Sequence, residues 1–248
     1  MNYKISIFLI ITTMLLNSCS DDGIEFKINN DLASYLEFNS NLELDEVIAC
    51  AASDKSNNNI SYIFYYPILT ATEIQYFETS SLEIDKNNFS LYKLTEYPQE
   101  PVFNGYLERF VRNNNKEVWC IVTYKTNGKL HKSNPIRLKH QTKLTEWTNN
   151  VSIEYPETKM PKFSWEDGNI KENAIYFEVI SNAENNLLSG TYTYQKWFQY
   201  YNLTNTVLNV TRETPPDLII NNEYNFTLMA VSEDNWVNLV IQKSFIAE

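Results

Sequence analysis

Tyr224-Asn225-Phe226-Thr227-Leu228-Met229-Ala230-Val231-Ser232 is the stretch that decides the fold. It is rich in aromatic and β-branched side chains, which suit a pleated, half-buried surface, and its residues project alternately to two faces. Glycine and proline are absent from it, so nothing interrupts a strand. The same reading extends outward over residues 237–246 downstream and over 206–212, 191–201, 174–181, 162–165 and 151–155 upstream. An earlier series covers 45–52, 60–66, 73–79, 103–111, 117–125 and 134–139. Nearly the whole chain reads as strand.

The turns between these runs are rich in asparagine: 57–59, 113–115 and 221–222. Asparagine tolerates left-handed backbone and bonds its own chain, so a β protein can manage with 5 glycines. Asn127-Gly128 is the clearest hairpin signal. Only 32–38 and 143–148 could form a short helix, and neither has a sustained apolar face. Two series of six or seven strands, each over roughly 100 residues, imply an all-β chain of two tandem β-sandwiches. The expected division is 1–18 leader, 19–30 acidic tether, 31–142 first sandwich and 143–248 second sandwich.

The Tyr224–Ser232 stretch, followed by the loop Glu233-Asp234-Asn235, resembles the sixth strand and last turn of fibronectin type III domains. Pro161-Lys162-Phe163-Ser164-Trp165 is similar to that family's second strand, and Tyr176-Phe177-Glu178-Val179 to its third. The resemblance covers roughly residues 149–248. It implies that Trp165 packs between two sheets and that Tyr224, Phe226 and Leu228 point inward. In the first half, Trp119-Cys120-Ile121-Val122-Thr123-Tyr124, Asn127-Gly128 and Ser133-Asn134-Pro135-Ile136 resemble the same final hairpin, with Trp119 in place of the usual Tyr.

The amino terminus carries Lys4, an apolar run over 5–16, then Asn17-Ser18-Cys19. A dozen apolar residues is short of the roughly 20 that a membrane-spanning helix needs, so the run reads as a secretory leader. Leu15-Leu16-Asn17-Ser18-Cys19 resembles the lipobox of bacterial lipoproteins. That resemblance implies cleavage before Cys19 and its acylation, with the protein held in the outer membrane by lipid. Ser20-Asp21-Asp22-Gly23 looks like the acidic signal that sends Bacteroidetes lipoproteins to the cell surface.

Removing 1–18 deletes Lys4 and no acid, leaving 19 basic against 31 acidic side chains and a net charge of about −12. Such a surface repels phosphate backbones, so nucleic acid is excluded as a partner. Apolar content of 43% and aromatic content of 14% are those of a folded chain. Cys50 and Cys120 remain outside the leader, each in a strand-like run. Outside the cytoplasm they can pair, closing a loop of about 70 residues worth roughly 4 kcal/mol in the chain-entropy model, or they can be two separate buried thiols. The family register, with Trp119, Ile121 and Thr123 inward, turns Cys120 outward. An immunoglobulin-like register, with Val118, Cys120 and Val122 inward, implies a Cys50–Cys120 bridge between sheets. The two registers exclude each other.

No catalytic, cofactor or metal signature is present. There is no Gly-x-Ser-x-Gly, no His-Glu-x-x-His and no phosphate loop, and His131 and His140 lie in polar stretches that read as exposed. Glu166-Asp167 and Glu233-Asp234 are adjacent acids in loops, with nothing to select a catalytic pair, and Glu166-Asp167-Gly168-Asn169 reads as a solvated turn rather than a loose Ca²⁺ site. The aromatic run over 192–201, taken as one strand, places Trp197 and Tyr201 on a shared face that could stack on sugar rings or anchor a partner. The expectation is a non-catalytic, lipid-anchored module that binds an outer-membrane protein or acts as a spacer. The alternative is a surface lipoprotein that captures glycan.

Overall fold

In a computed structural model, which describes residues 30–248, the chain folds into two β-sandwiches stacked face to face. The leader, Cys19 and nearly all of the tether lie outside the described residues. The first sandwich is built from β1 (Glu43–Val47), β2 (Ala49–Ser53), β3 (Ile60–Tyr65), β4 (Thr72–Glu78), β5 (Lys93–Leu94), β6 (Gln99–Val102), β7 (Leu107–Asn113), β8 (Trp119–Thr126), β9 (Lys129–Ser133) and β10 (Ile136–Arg137). One sheet runs β1-β9-β8-β4-β5, with β10 also on β8, and the other runs β2-β3-β7-β6. The second sandwich uses β11 (Glu146–Thr148), β12 (Ser152–Glu157), β13 (Met160–Ser164), β14 (Asn173–Asn182), β15 (Leu187–Thr193), β16 (Trp197–Gln199), β17 (Thr206–Asn209), β18 (Glu223–Ser232) and β19 (Val237–Ile246). Its sheets are β11-β19-β18-β14-β15-β17 and β12-β13-β16. These strand orders are those of fibronectin type III and immunoglobulin-like sandwiches.

Both sandwiches open in the same way. The first strand divides between the two sheets: β1 pairs parallel with β9, and β2 then pairs antiparallel with β3. Likewise β11 pairs parallel with β19, and β12 antiparallel with β13. The sequence reading joined β1 and β2 into one strand because hydrophobic pattern does not register a change of sheet. Residues 143–148, read as a candidate helix, contribute β11 instead. Residues 32–38 do form a helix, α1 (Leu32–Phe38), capped by Asp31, whose carboxylate accepts from the Ser34 amide at 3.0 Å. Seven residues are too few for a helix to stand alone in water. It persists because Leu32 and Tyr35 pack with Phe77, Tyr92, Ile121 and Leu130 on the outer face of the first sheet.

Three further apolar layers follow. Val118, Cys120, Val122 and Tyr124 from one sheet meet Ala51, Ile63, Tyr65 and Phe110 from the other inside the first sandwich. The second sandwich is filled by Phe163, Trp165, Tyr176, Phe226, Leu228 and their neighbours. Trp165, Tyr224, Phe226 and Leu228 all point into that core. Tyr224 also fixes the corner leading into β18, its hydroxyl accepting from the Ile219 amide at 2.9 Å. Between the sandwiches lies the remaining layer, where Ala52, Phe64, Phe103 and Leu107 face Phe177, Val179, Met229, Val231 and Val240. A strand buried on both faces loses its polar alternation. That accounts for the unbroken burial of residues 226–232 and 237–241.

The turn between β18 and β19 locks this seam. Trp236 is fully buried and belongs to the core of the first sandwich, although the strands on either side of its turn belong to the second. The Ala51 amide donates to the Asn235 carbonyl at 2.9 Å, and the Asn235 side chain donates to the Pro135 carbonyl at 3.1 Å. The Arg137 amide donates to the Asp234 carbonyl at 2.9 Å, and Lys139 pairs with the Asp234 carboxylate at 2.9 Å. Glu233 stays exposed in this loop, whereas Asp234 is a clasp between the sandwiches: burial opposes ionisation, but the Ser232 hydroxyl and the Lys139 cation hold its carboxyl below the usual range.

Cys50 and Cys120 are free thiols. Cys120 does face inward with Val118 and Val122, but Cys50 packs in the seam, and its neighbour Ala51 faces the Cys120 core. A one-residue step on β2 thus puts the two sulfurs on opposite faces of a sheet, so the implied bridge cannot close. The histidines are also corrected. His131 and His140 are both buried, His131 stacked on Tyr124 at 4.8 Å and His140 hydrogen-bonded through Nε2 to the Asn114 carbonyl at 2.9 Å. His131 lies on β9, where alternate residues face different surroundings, and His140 is enclosed at a turn, so polar neighbours in sequence do not report the burial of either ring.

Asparagine does take the place of glycine at turns. Asn104, Asn127, Asn185, Asn221 and Asn235 all adopt left-handed backbone. Asn127 (φ 52°) and Gly128 (φ 74°) form the two-residue hairpin between β8 and β9, where both positions require positive φ.

Candidate functional site

The candidate aromatic face over 192–201 is not a single surface. The run over 192–201 is two strands in different sheets: β15 ends at Thr193, and β16 spans only Trp197–Gln199. The chain leaves one sheet, crosses over Tyr194–Lys196, and joins the other, so the face shared by Trp197 and Tyr201 is lost. Trp197 is half-buried beneath the Lys162 ammonium, 5.2 Å from its ring. Tyr201 sits in a left-handed turn (φ 68°), packed edge-on to Tyr200 and against the core. Its hydroxyl donates to the Pro215 carbonyl at 2.5 Å. Both rings are held by local contacts of their own.

The acidic loop after β13 is also structural. Asp167 accepts from Asn173 Nδ2 at 2.7 Å and from the Tyr176 hydroxyl at 2.8 Å, and pairs with Lys196 at 3.1 Å. Among the described residues no group of three or more His, Cys, Asp or Glu side chains could hold a metal ion. No helix there is long and apolar enough to cross a membrane.

Two buried charged groups escaped the sequence reading. In the first sandwich Arg112 is fully buried, and its Nε donates to Glu78 Oε2 at 2.7 Å across the space between sheets. The Tyr76 and Tyr97 hydroxyls also donate to Glu78, at 2.9 and 3.3 Å, and Arg112 lies 5.9 Å over the Tyr97 ring. In the second sandwich Glu178 is fully buried between Leu228 and Thr191 of the flanking strands. Its Oε2 receives a long contact from the Thr191 hydroxyl at 3.4 Å, and Oε1 has no partner. The alternation Tyr176, Glu178, Ile180 would have placed this carboxyl inside, since its two neighbours by period 2 are core residues.

Burial drives the Glu178 pKa well above the ordinary carboxyl value, so the group is neutral in the fold. The folded pKa exceeds the unfolded one, so this group's contribution to stability is full at acid pH. It is lost as pH rises through the folded value. Glu178→Gln removes that titration. The unfolding temperature of the variant should therefore gain on that of the wild type as pH rises above the ordinary carboxyl range, measured by circular dichroism. A difference that stays constant with pH would show that Glu178 is ionised in the fold.

The most exposed apolar feature is an edge. Among the described residues β17 has β15 on one side and no strand on the other. Val207 is 46% exposed and Leu208 42%. Leu203, in the turn before them, is also exposed. Other sheet edges among the described residues are blunted in recognised ways. β1 carries Glu43, Asp45 and Glu46; β6 carries Glu100 and Pro101; β12 carries Glu154 and Pro156; β11 carries Glu146. Residue 30 bonds to Leu94 over β5, the Asn235 turn covers β2, and Asn202 bridges back onto Gln199 of β16. β17, with the sequence Thr-Val-Leu-Asn, has neither charge nor proline nor cover. It was legible as a strand, but its edge position comes from the long return between β16 and β18.

No family model matches the chain, and no curated protein matches it. Solved structures similar to it include the FN1-FN3 domains of chicken CNTN1, 12% identical over 84% of this chain and 68% of that one, with a TM-score of 0.30. A two-domain fibronectin type-III segment of chicken tenascin is 12% identical, with 82% and 98% covered and a TM-score of 0.25. The receptor tyrosine kinase Torso is 12% identical, with 84% and 76% covered and a TM-score of 0.25. Scores this low carry no structural argument, and the assignment of two fibronectin type III or immunoglobulin-like sandwiches stands on their strand orders.

Proposed function

We propose that the protein is a lipid-anchored, non-catalytic interaction module that holds an extended segment of a partner protein along β17. The observation that carries this reading is the contrast between β17, apolar and open, and the blunted edges elsewhere. A partner strand added there would gain main-chain hydrogen bonds from the open edge and apolar contact from Leu203, Val207 and Leu208. The rigid seam between the sandwiches suits such a role, since the edge is then presented in a fixed orientation. Support for the anchor is the lipobox-like sequence ending at Cys19, with its acidic continuation. The outer face of the outer membrane is the location that this continuation favours.

The test compares tagged wild type, Val207→Lys and Cys19→Ala, each recovered from its own cells with mass spectrometry of whatever co-purifies. Wild type should fractionate with membranes and bring down a stoichiometric protein. Val207→Lys, an exposed change that blunts the edge, should stay in the membrane and melt normally but recover at least tenfold less partner. Equal recovery by this variant would refute the edge. Cys19→Ala should be unacylated and move to the soluble fraction; an acylated, membrane-bound variant would refute the anchor. Polysaccharide without protein would redirect the reading to glycan capture.

A further inference from the structure

The seam between the two sandwiches is not filled throughout. A cavity of about 190 Å³ opens where β2 and β3 of the first sandwich face β14, β15 and β18 of the second. Its walls include Cys50, Phe64 and Tyr66 on one side and Phe177, Tyr192 and Met229 on the other. Phe177 and Tyr192, paired across β14 and β15, stack on one another with ring centroids 4.5 Å apart, and both line the cavity. Exposed Glu46 and Asn134 and half-buried Asn235 complete the lining at its solvent-facing part, with a carboxylate and two amides among their side chains. An apolar, aromatic lining with a few polar groups at a domain boundary is shared with small-molecule sites, and the small volume restricts the occupant to a compact one.

We infer that this cavity is a binding site for a compact single-ring aromatic molecule bearing one hydrogen-bond donor, with the ring against Phe177, Tyr192 and Met229 and the donor directed to the mouth. Size supports a single ring. An apolar protein cavity of roughly 150 Å³ lined by aliphatic and aromatic side chains stays dry and accepts benzene. The present one is slightly larger and leaves room for one substituent. Larger ring systems would have to part the seam. The lining favours an aromatic over an aliphatic chain, because ring faces pack on rings and methionine sulfur lies favourably at a ring edge. The polar residues can accept a donor, since the Glu46 carboxylate only accepts and the Asn134 and Asn235 amides can accept through Oδ1. Nothing charged lies deep in the chamber: burial raises the Cys50 thiol to about 12, so it remains neutral there. Cys50, although carried by a strand of the first sandwich, therefore acts as a small apolar wall residue rather than a nucleophile.

This site is separate from the β17 edge, and either can fail without the other. The experiment uses 4-fluorophenol as the probe, with fluorobenzene as the comparison lacking the donor. With the wild-type protein, 4-fluorophenol at low-millimolar concentration should give saturable broadening of its fluorine signal and a raised unfolding temperature. Its ring protons should show nuclear Overhauser contacts to the Met229 methyl. Fluorobenzene should bind several-fold more weakly. Cys50→Phe, which projects a ring into the chamber, should weaken 4-fluorophenol binding at least tenfold while the edge-dependent capture of a partner persists. Should Cys50→Phe not fold, the Met229 contact in the wild type decides the matter alone. Absence of saturable binding, a bound probe without contact to Met229, or undiminished binding by folded Cys50→Phe would each overturn the inference.

Discussion

Trp236→Ala is expected to destabilise the protein by about 3–5 kcal/mol, the range for removing a large aromatic from a close-packed site. The indole is fully buried and stands in the core of one sandwich while the strands flanking its turn belong to the other. Its loss would leave a void where Ala51, Val118 and Ile136 meet, among residues that cannot collapse inward without moving both sheets. Trp236 also couples the two sandwiches. In calorimetry the wild type should unfold in one transition, and Trp236→Ala should show two, because the remaining seam contacts no longer hold the halves to a common fate. A single transition at nearly the wild-type temperature would mean that Asp234, Asn235 and the apolar seam suffice without the indole.

Arg112→Met should be of comparable size, for a different reason. Removing one member of a buried ion pair leaves the other charge without compensation and costs about 3–5 kcal/mol. Glu78 would retain two tyrosine hydroxyls but lose its cation. The diagnostic result is the double variant. Arg112→Met with Glu78→Gln should recover most of the loss, because the isolated carboxylate is what makes the single change expensive. Chemical denaturation of the two singles and the double closes this cycle. Additive losses would show that packing around Arg112, rather than charge, accounts for the effect.

Some of this architecture was written openly in the chain. The alternation of Tyr224, Phe226 and Leu228, the indole of Trp165 and the Asn127-Gly128 hairpin depend on local geometry, and local geometry is what a sequence displays. The face-to-face seam is different. Phe177 and Val179 look like any outward pair on a half-buried strand until another sheet is known to lie on them. The same holds for Cys50, whose partner was sought on the inner face while its side chain sits on the outer one. Pattern gives the period of a strand and leaves its phase open, so a single-residue step decided the fate of the thiols. For Trp197 and Tyr201 the failure was one of continuity: ten residues that would suit one strand are divided between two sheets. The β17 edge could not be read at all, since which strand ends a sheet depends on the order in which distant segments pair.

The parallel pairs that begin each sandwich also determine how the molecule bears tension. A pull toward the amino terminus at β1, resisted through β9, slides two parallel strands along one another. Their hydrogen bonds lie across that motion and are loaded together instead of opening one at a time like a zip. β11 and β19 repeat the geometry near the other end of the chain. Force applied between the two ends therefore meets a shear lock in each sandwich before either can peel apart.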